Sequence, residues 1–178
     1  YSNIALSYNL KNKKTITSIF LNGQKNKLTY LINESQSYSF INAGINLTAN
    51  KNNINLILSQ YFSLNKIDNY SKILFKHQYI KKNKDNSSYL LINSQIQLIS
   101  NNFSPIYEIS YLGGDDLVRS YETNPEFNHL DVQNKLKFKN LIFNSIQFEI
   151  PIFNSKKTQT NLFFFTDQAI GSNKNNNF

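Results

Sequence analysis

The chain has 178 residues, with 19 Lys and Arg against 11 Asp and Glu and a formal net charge of +8 at pH 7. It contains no Cys, which excludes disulfides, thiolate metal sites and cysteine nucleophiles, and it has no run of about eighteen apolar residues that would predict a transmembrane helix. The basic residues stand in short, separate runs such as KNKK and KKNK, unlike a clustered, aromatic-lined nucleic-acid-binding face, so no nucleic-acid partner is expected.

Apolar and polar residues alternate with a period of two, which is typical of strands that have two different faces. The alternation appears in NIALSYNL (residues 3–10), is clearest in INAGINLT (residues 41–48), and returns in NSIQFEI (residues 144–150). In the second of these segments the residues predicted to face outward are Ile41, Ile45 and Leu47, and those predicted on the opposite face are Asn42, Asn46 and Thr48.

Looser versions of the same alternation predict further strands. They lie at about residues 15–22, 27–33, 53–62, 72–81, 88–99, 105–111, 134–143 and 161–167. Polar connections such as TANKNN and KKNKDNSS separate them, and no amphipathic helix is evident. About eleven strands in an antiparallel, meandering all-β fold are therefore expected.

Two architectures bury one face of so many strands: a soluble barrel or sandwich with an apolar interior, and a membrane barrel with an apolar exterior. The period-two pattern is compatible with both. A polar face of Asn, Ser, Gln and Thr suits the wet lumen of a membrane barrel. Tyrosines near strand ends fit the aromatic girdles of such a barrel, namely Tyr8, Tyr30, Tyr38, Tyr61 and Tyr89.

The segment YLGGDDLVRSYETN (residues 111–124) interrupts the strand pattern. It holds two of the five glycines and the only Arg of the chain, Arg119, whereas every other basic residue is Lys. Gly-Gly followed by two carboxylates favours a sharp backbone excursion. A loop that folds inward would use the planar guanidinium for bidentate pairing with a carboxylate in a confined site, whereas a surface loop would carry Arg119 by chance.

Three motifs in the last part of the chain resemble, in order, those of the outer-membrane β-barrel superfamily that includes BamA and the plastid Toc translocation channel. LGGDDLVRSY resembles the family's glycine-rich loop signature, FEIPI (residues 148–152) a strand with Glu before Pro, and LFFFTDQAIGS (residues 162–172) an aromatic strand with an acidic residue before a turn. Ser120 and Ala169 stand where the family commonly has Gly.

The resemblance implies a transmembrane β-barrel, of which residues 1–178 would be a partial domain with about eleven of sixteen strands. The transport-associated domains before the barrel and its last strands are expected to lie outside this sequence. The loop at about 111–126 is expected to fold into the lumen. Its motif residues are Gly113, Gly114, Val118, Arg119, Ser120 and Tyr121.

Glu149 and Asp167 are the implied lumen partners of Arg119. Glu149 belongs to the polar set of its strand. Asp167, however, is separated from Phe163 and Phe165 by an even number of residues, so a regular strand would point all three to the same face. Either a bulge intervenes or both rings also face the lumen. His77 and His129 lack ligand spacing and are interpreted as ordinary polar positions.

The implied function is a protein-translocating or protein-inserting channel without catalysis, metal or cofactor. Expected partners are unfolded precursor polypeptides, the lipid bilayer and other translocon subunits. The tail DQAIGSNKNNN favours the plastid outer envelope. The alternatives are the mitochondrial sorting-and-assembly barrel and a secretion-partner or porin-type barrel, and an outer-membrane enzyme is disfavoured because neither His lies in a nucleophile setting.

Overall fold

A computed structural model describes residues 2–29, 35–49, 53–64, 68–83, 88–100, 110–111, 117–119, 137–154 and 159–173. All regular structure in these ranges is β, and they contain no helix that could cross a membrane. The strands are β1 (Ser2–Lys11), β2 (Thr15–Thr29), β3 (Ser35–Ala49), β4 (Ile54–Ser63), β5 (Tyr70–Lys82), β6 (Tyr89–Ile99), β7 (Ser110–Tyr111), β8 (Lys137–Phe138), β9 (Asn140–Asn154) and β10 (Gln159–Ser172).

Eight of these strands form one open antiparallel sheet in the order β1-β2-β3-β4-β5-β6-β9-β10. Sequential neighbours pair from β1 to β6, so the predicted antiparallel meander is confirmed. β9 then pairs directly with β6, although residues 100–139 lie between them in sequence. Within that excursion β7 and β8 form a separate two-stranded ladder.

Two predicted strand breaks are absent. Residues 15–22 and 27–33 were expected to form two strands, but β2 continues through Gly23 to Thr29 because both neighbouring strands pair with it. The described part of the predicted strand at 134–143 forms the short β8 and the start of β9, and β9 continues without a break through the predicted strand at 144–150. Adjacent polar residues obscured the alternation at Asn144 and Ser145, yet the ladder to β6 runs through them without a bulge. Of residues 105–111, only Ser110 and Tyr111 belong to the described part.

The two faces of the sheet differ in the way that the alternation predicts. Ile41, Ile45 and Leu47 are 37%, 41% and 39% exposed, whereas Asn42 is 6% exposed. Asn46 and Thr48 are half-buried. We call the side of Ile45 the apolar face and the side of Asn42 the polar face. The described buried hydrophobic side chains of the sheet belong to the polar face, so the apolar set does not form an interior core.

Aromatic residues cover one end of the polar face. Tyr61 and Tyr70 stack with ring centroids 4.3 Å apart, and Phe40 meets both rings edge-on. The girdle interpretation of Tyr61 was therefore wrong, because its ring packs across the polar face instead of projecting from the apolar one. Tyr89 also belongs to the polar face, opposite Glu149, whereas Tyr8 is exposed on the apolar face. The side chains of Tyr30 and Tyr38 lie outside the described residues.

Gly44 allows a close approach between β2, β3 and β4. A Cβ atom at this position would lie 2.6 Å from the Phe20 ring and would also meet the backbone carbonyl of Leu58. The Phe20 ring thus occupies the space that a side chain at Gly44 would need. Gly23 offers a comparison within the same sheet, because a Cβ atom there would meet nothing within 4 Å.

We predict that Gly44→Ala destabilises the protein by about 1–3 kcal/mol, because backbone atoms of β4 cannot move aside as a flexible side chain can. Gly23→Ala is the matched control and should be neutral or slightly stabilising. Equilibrium unfolding in urea measures both. Equal effects of the two substitutions would contradict the packing of Phe20 over Gly44.

Candidate functional site

Residues Leu117–Arg119 of the excursion pack on the polar face of β9 and β10. Val118 is 7% exposed and forms a buried cluster with Leu141 and Phe143 of β9. Leu117, Phe138 and Ala169 pack against this cluster. A small hydrophobic core therefore holds the loop against the sheet and sets the position of the next residue, Arg119.

Arg119 binds Asp167 of β10 in a forked arrangement. Nε donates to Oδ2 at 3.0 Å and an Nη donates to Oδ1 at 2.8 Å, while the Arg119 backbone N–H also donates to Oδ2 at 3.1 Å. The Asp167 side chain is 4% exposed and that of Arg119 is 22% exposed. An ammonium group would lack the planar pair of donors that matches both carboxylate oxygens.

Two side chains of β9 complete the site. The guanidinium donates to Gln147 Oε1 at 2.7 Å and to Ser145 Oγ at 3.1 Å, and the Ser145 hydroxyl donates to Asp167 Oδ1 at 2.7 Å. The register explains this convergence: Ser145 lies opposite Asp167, and Gln147 lies opposite Phe165. These four positions form two adjacent cross-strand pairs on the polar face, beneath the guanidinium.

The Phe165 ring supports the guanidinium from below. Arg119 Cζ lies 3.9 Å from the ring centroid, which is a cation–π contact, and Phe163 stacks on Phe165 at 5.9 Å. No register shift occurs between Asn161 and Ser172. A bulge therefore does not explain why Asp167 and these rings occupy alternate positions of the same strand. Instead, Phe165 faces the same side of the sheet as Asp167.

Glu149, the other candidate partner, lies further along β9. It stands opposite Phe163 and accepts a hydrogen bond from Asn161 Nδ2. The structure thus brings Arg119, Val118 and Asp167 together, and it gives Glu149 a partner on β10. The remaining predicted motif residues lie outside the described part of the chain, namely Gly113, Gly114, Ser120 and Tyr121.

Sequence reasoning did not assign Ser145, Gln147 or Phe165 to the site. Their parity placed Ser145 and Gln147 on a polar face, but only the register of β9 against β10 shows which of them stand beside Asp167. A one-residue register shift would have removed all of them from the site. The sequence held one signal for this site: Ser145 and Gln147 are two residues apart in one strand, and Phe165 and Asp167 are two residues apart in the next.

Hydrogen bonds from backbone N–H groups to asparagine side chains fix both ends of the excursion. The Ile99 N–H donates to Asn140 Oδ1 at 2.9 Å, and the Lys139 N–H donates to Asn173 Oδ1 at 3.0 Å. Close to them, the Phe138 ring packs on Gly171 in the space that a Cβ atom would occupy. The strand pair that carries the Arg119 ligands is therefore tied to the point where the chain re-enters the sheet.

The arrangement is suited to anchoring a segment. The guanidinium is saturated by a carboxylate, an amide, a hydroxyl and a ring. In the part of the chain that the structure describes, no group of three or more His, Asp and Glu could hold a metal ion. What this site can supply is a fixed position for the loop on the polar face.

We predict that Arg119→Ala and Asp167→Ala each destabilise the protein by up to about 3 kcal/mol, because each leaves the opposite charge without its partner in a largely buried position. The double variant should be little worse than either single variant. Unfolding curves of all four proteins give the coupling energy, which should be about 1–3 kcal/mol.

Glu149→Gln provides the control for this cycle. Its carboxylate is engaged by Asn161, so its effect should add to that of Arg119→Ala with little coupling. Arg119→Lys should resemble Arg119→Ala, since it keeps the charge and loses the fork. Strong coupling to Glu149 and none to Asp167 would refute this description of the site.

No protein-family model and no curated protein matches this chain. The functional interpretation therefore depends on the two-faced sheet and on the residues that surround Arg119.

Proposed function

We propose that this chain forms part of the wall of a transmembrane β-barrel that passes or inserts unfolded polypeptides at an organellar outer membrane. The observation that supports this most directly is the exposure of the apolar face. Large apolar side chains on this face are exposed along the sheet, among them Ile4, Leu6, Tyr8, Leu10, Ile19, Leu21, Ile45, Leu58, Ile142, Ile146, Phe148, Phe164 and Ile170.

An apolar surface of this extent fits contact with lipid better than contact with water. Soluble monomers rarely expose contiguous apolar patches above a few hundred Å². The eight strands of the sheet contain between 10 and 15 residues, whereas a tilted strand needs about 9–11 residues to cross the hydrocarbon core. A bilayer is therefore the first partner that the proposal requires.

The polar face supplies the wall of the proposed lumen. It carries amides and hydroxyls, for example Gln78 and Asn93, whose side chains hydrogen-bond to each other at 3.1 Å. Numerous weak hydrogen-bonding groups allow an unfolded chain to exchange partners as it moves without being held at one point. This chemistry supports precursor polypeptides as the cargo.

The loop anchored by Arg119 gives the proposed lumen an internal element. It leaves the sheet after β6 and packs on the polar face of β9 and β10, and its contacts tie together these two strands and the excursion. In this proposal the anchored loop stabilises the barrel state that accepts cargo, and other translocon subunits would bring the cargo to it. Secretion-partner barrels share the loop signature that the sequence resembles, so they are a second candidate.

The organelle is proposed from the sequence resemblance. The tail residues Asp167–Ser172 and the following Asn-rich stretch favour the plastid outer envelope over the mitochondrial sorting-and-assembly barrel. The described residues support an all-β meander with two different faces, which all of these barrels require. Localisation separates the two organelles.

We predict opposite accessibility for neighbouring residues of β3 in the full-length protein reconstituted into vesicles. Because the chain has no Cys, Ile45→Cys and Asn46→Cys each introduce one thiol into it, and the protein without either substitution gives the background from any thiol outside the chain. A membrane-impermeant maleimide should label the thiol at position 46 and leave the one at position 45 unlabelled until detergent is added. Equal labelling of both before detergent would contradict the membrane-barrel proposal.

We predict that the full-length protein with a fluorescent tag forms a ring around plastids, and that Arg119→Lys lowers precursor import while the ring persists. The physical reason is that Lys cannot hold both carboxylate oxygens of Asp167 and Gln147 at once. Lys13→Gln is the control, since Lys13 is exposed in the β1–β2 turn. A mitochondrial ring would favour the sorting-and-assembly alternative.

A further inference from the structure

An open cavity of about 490 Å³ lies at the end of the sheet where β5 turns into β6. Its walls include Lys81, Lys82, Ser88, Tyr89, Leu90 and Phe148. A hydrogen bond from the Asn83 N–H to the Ser88 carbonyl at 2.9 Å closes the turn beside it. The volume is within the range of about 300–1,000 Å³ that is usual for small-molecule sites.

The cavity combines positive charge with apolar surface at the border of the apolar face. Register places Lys81 opposite Leu90, Leu90 opposite Phe148, and Phe148 opposite Phe164 in a single row across four strands. Lys81 is exposed on this face, and Lys82, which pairs with Tyr89 of the polar face, is exposed and reaches the cavity from the other side of the strand end. Phe148 and Phe164 are 41% and 57% exposed. The row therefore has an ammonium group at one side and a continuous apolar strip beside it.

The next row toward the middle of the sheet is apolar in three of its four positions. Tyr79, Ile92 and Ile146 stand beside one another there, followed by Thr166. Tyr79 is 41% exposed and Ile146 is 45% exposed. An amphiphile whose acidic group sits near Lys81 could thus extend its hydrocarbon part from Leu90 and Phe148 over Ile146.

The surrounding charges favour an anion. Three further lysines, Lys11, Lys13 and Lys14, lie at the same end of the sheet, because the β1–β2 turn is on that side. The nearest described carboxylate in the cross-strand rows, Glu149, belongs to the polar face and binds Asn161. A headgroup phosphate would therefore meet positive potential at this border.

We propose that this cavity binds the headgroup of an anionic phospholipid, with the phosphate held by Lys81, Lys82 and the Ser88 hydroxyl and an acyl chain on Leu90 and Phe148. The proposal rests on the proposed membrane function, because it takes the apolar face to be in contact with lipid. It adds a specific lipid class and a specific position on the barrel wall.

The chain has no Trp, so one introduced Trp reports on a single site once any Trp outside the chain has been replaced by Phe. Phe148→Trp places one fluorophore in the cavity wall. Ile142→Trp is the matched control, because it lies on the same face of the same strand, six residues or about 20 Å away. The full-length protein carrying either substitution is reconstituted into vesicles that contain brominated phosphatidylcholine or brominated phosphatidylglycerol, and quenching gives the relative affinity of each lipid for the reporter site.

At the Phe148→Trp reporter we expect phosphatidylglycerol to be preferred by about fivefold or more, since each Lys near an anionic surface contributes about that factor. The Ile142→Trp reporter should show no preference. Lys81→Gln with Lys82→Gln should abolish the preference, whereas Lys13→Gln with Lys14→Gln, which removes the same charge from the β1–β2 turn, should preserve it. Excess inorganic phosphate should leave the preference unchanged.

The outcomes separate this proposal from the membrane function. Quenching of both reporters by both lipids without preference would overturn the headgroup site and leave the membrane barrel intact. Quenching of neither reporter would overturn the membrane proposal itself. If the Lys13→Gln and Lys14→Gln variant loses the preference for phosphatidylglycerol, the preference comes from diffuse charge at this end of the sheet. If excess inorganic phosphate removes the preference, the site binds free anions. Either result overturns the lipid site.

Discussion

The forked pairing of Arg119 with Asp167 is the contact on which the arrangement of the C-terminal half depends. Nearly every partner of the guanidinium comes from β9 or β10. The hydrogen bonds of Arg119 can therefore form together only if these two strands keep one register. The hydrophobic contacts of Val118 with Leu141 and Phe143 act at the same place and supply attraction without direction. The ion pair then fixes the orientation of the loop, because bidentate hydrogen bonds are sensitive to angle.

A second constraint acts on the whole sheet. Since side chains alternate between faces, one register for all eight strands puts most of the exposed apolar residues on one side and most polar residues on the other. The polar face then receives the covering elements: the loop at Arg119 at one place and the rings of Phe40, Tyr61 and Tyr70 at another. The apolar face is left uncovered by the described residues, which is the main physical reason for the proposal that it contacts lipid.

Aromatic residues serve different purposes on the two faces. On the polar face, Phe20 packs over Gly44 and Phe165 packs beneath the Arg119 guanidinium, so each ring fills a gap that backbone or charge leaves open. On the apolar face, Phe148 and Phe164 are presented outward beside Lys81. Composition cannot distinguish these uses, because the same residue type packs a confined site in one case and borders the proposed headgroup cavity in the other.

The sequence by itself determined the class of fold and the identity of both faces. A period of two is a local property of strands, and it therefore identified Ile41, Ile45 and Leu47 as one face and Asn42 as the other without knowledge of their neighbours. It also singled out Arg119, because one guanidinium among lysines is visible in composition. Tertiary structure decided which residues of different strands are neighbours. The register of β9 and β10 brought Ser145, Gln147 and Phe165 to the guanidinium, and the ladder partners of β2 carried that strand through Gly23, because cross-strand pairing joins residues that are distant along the chain.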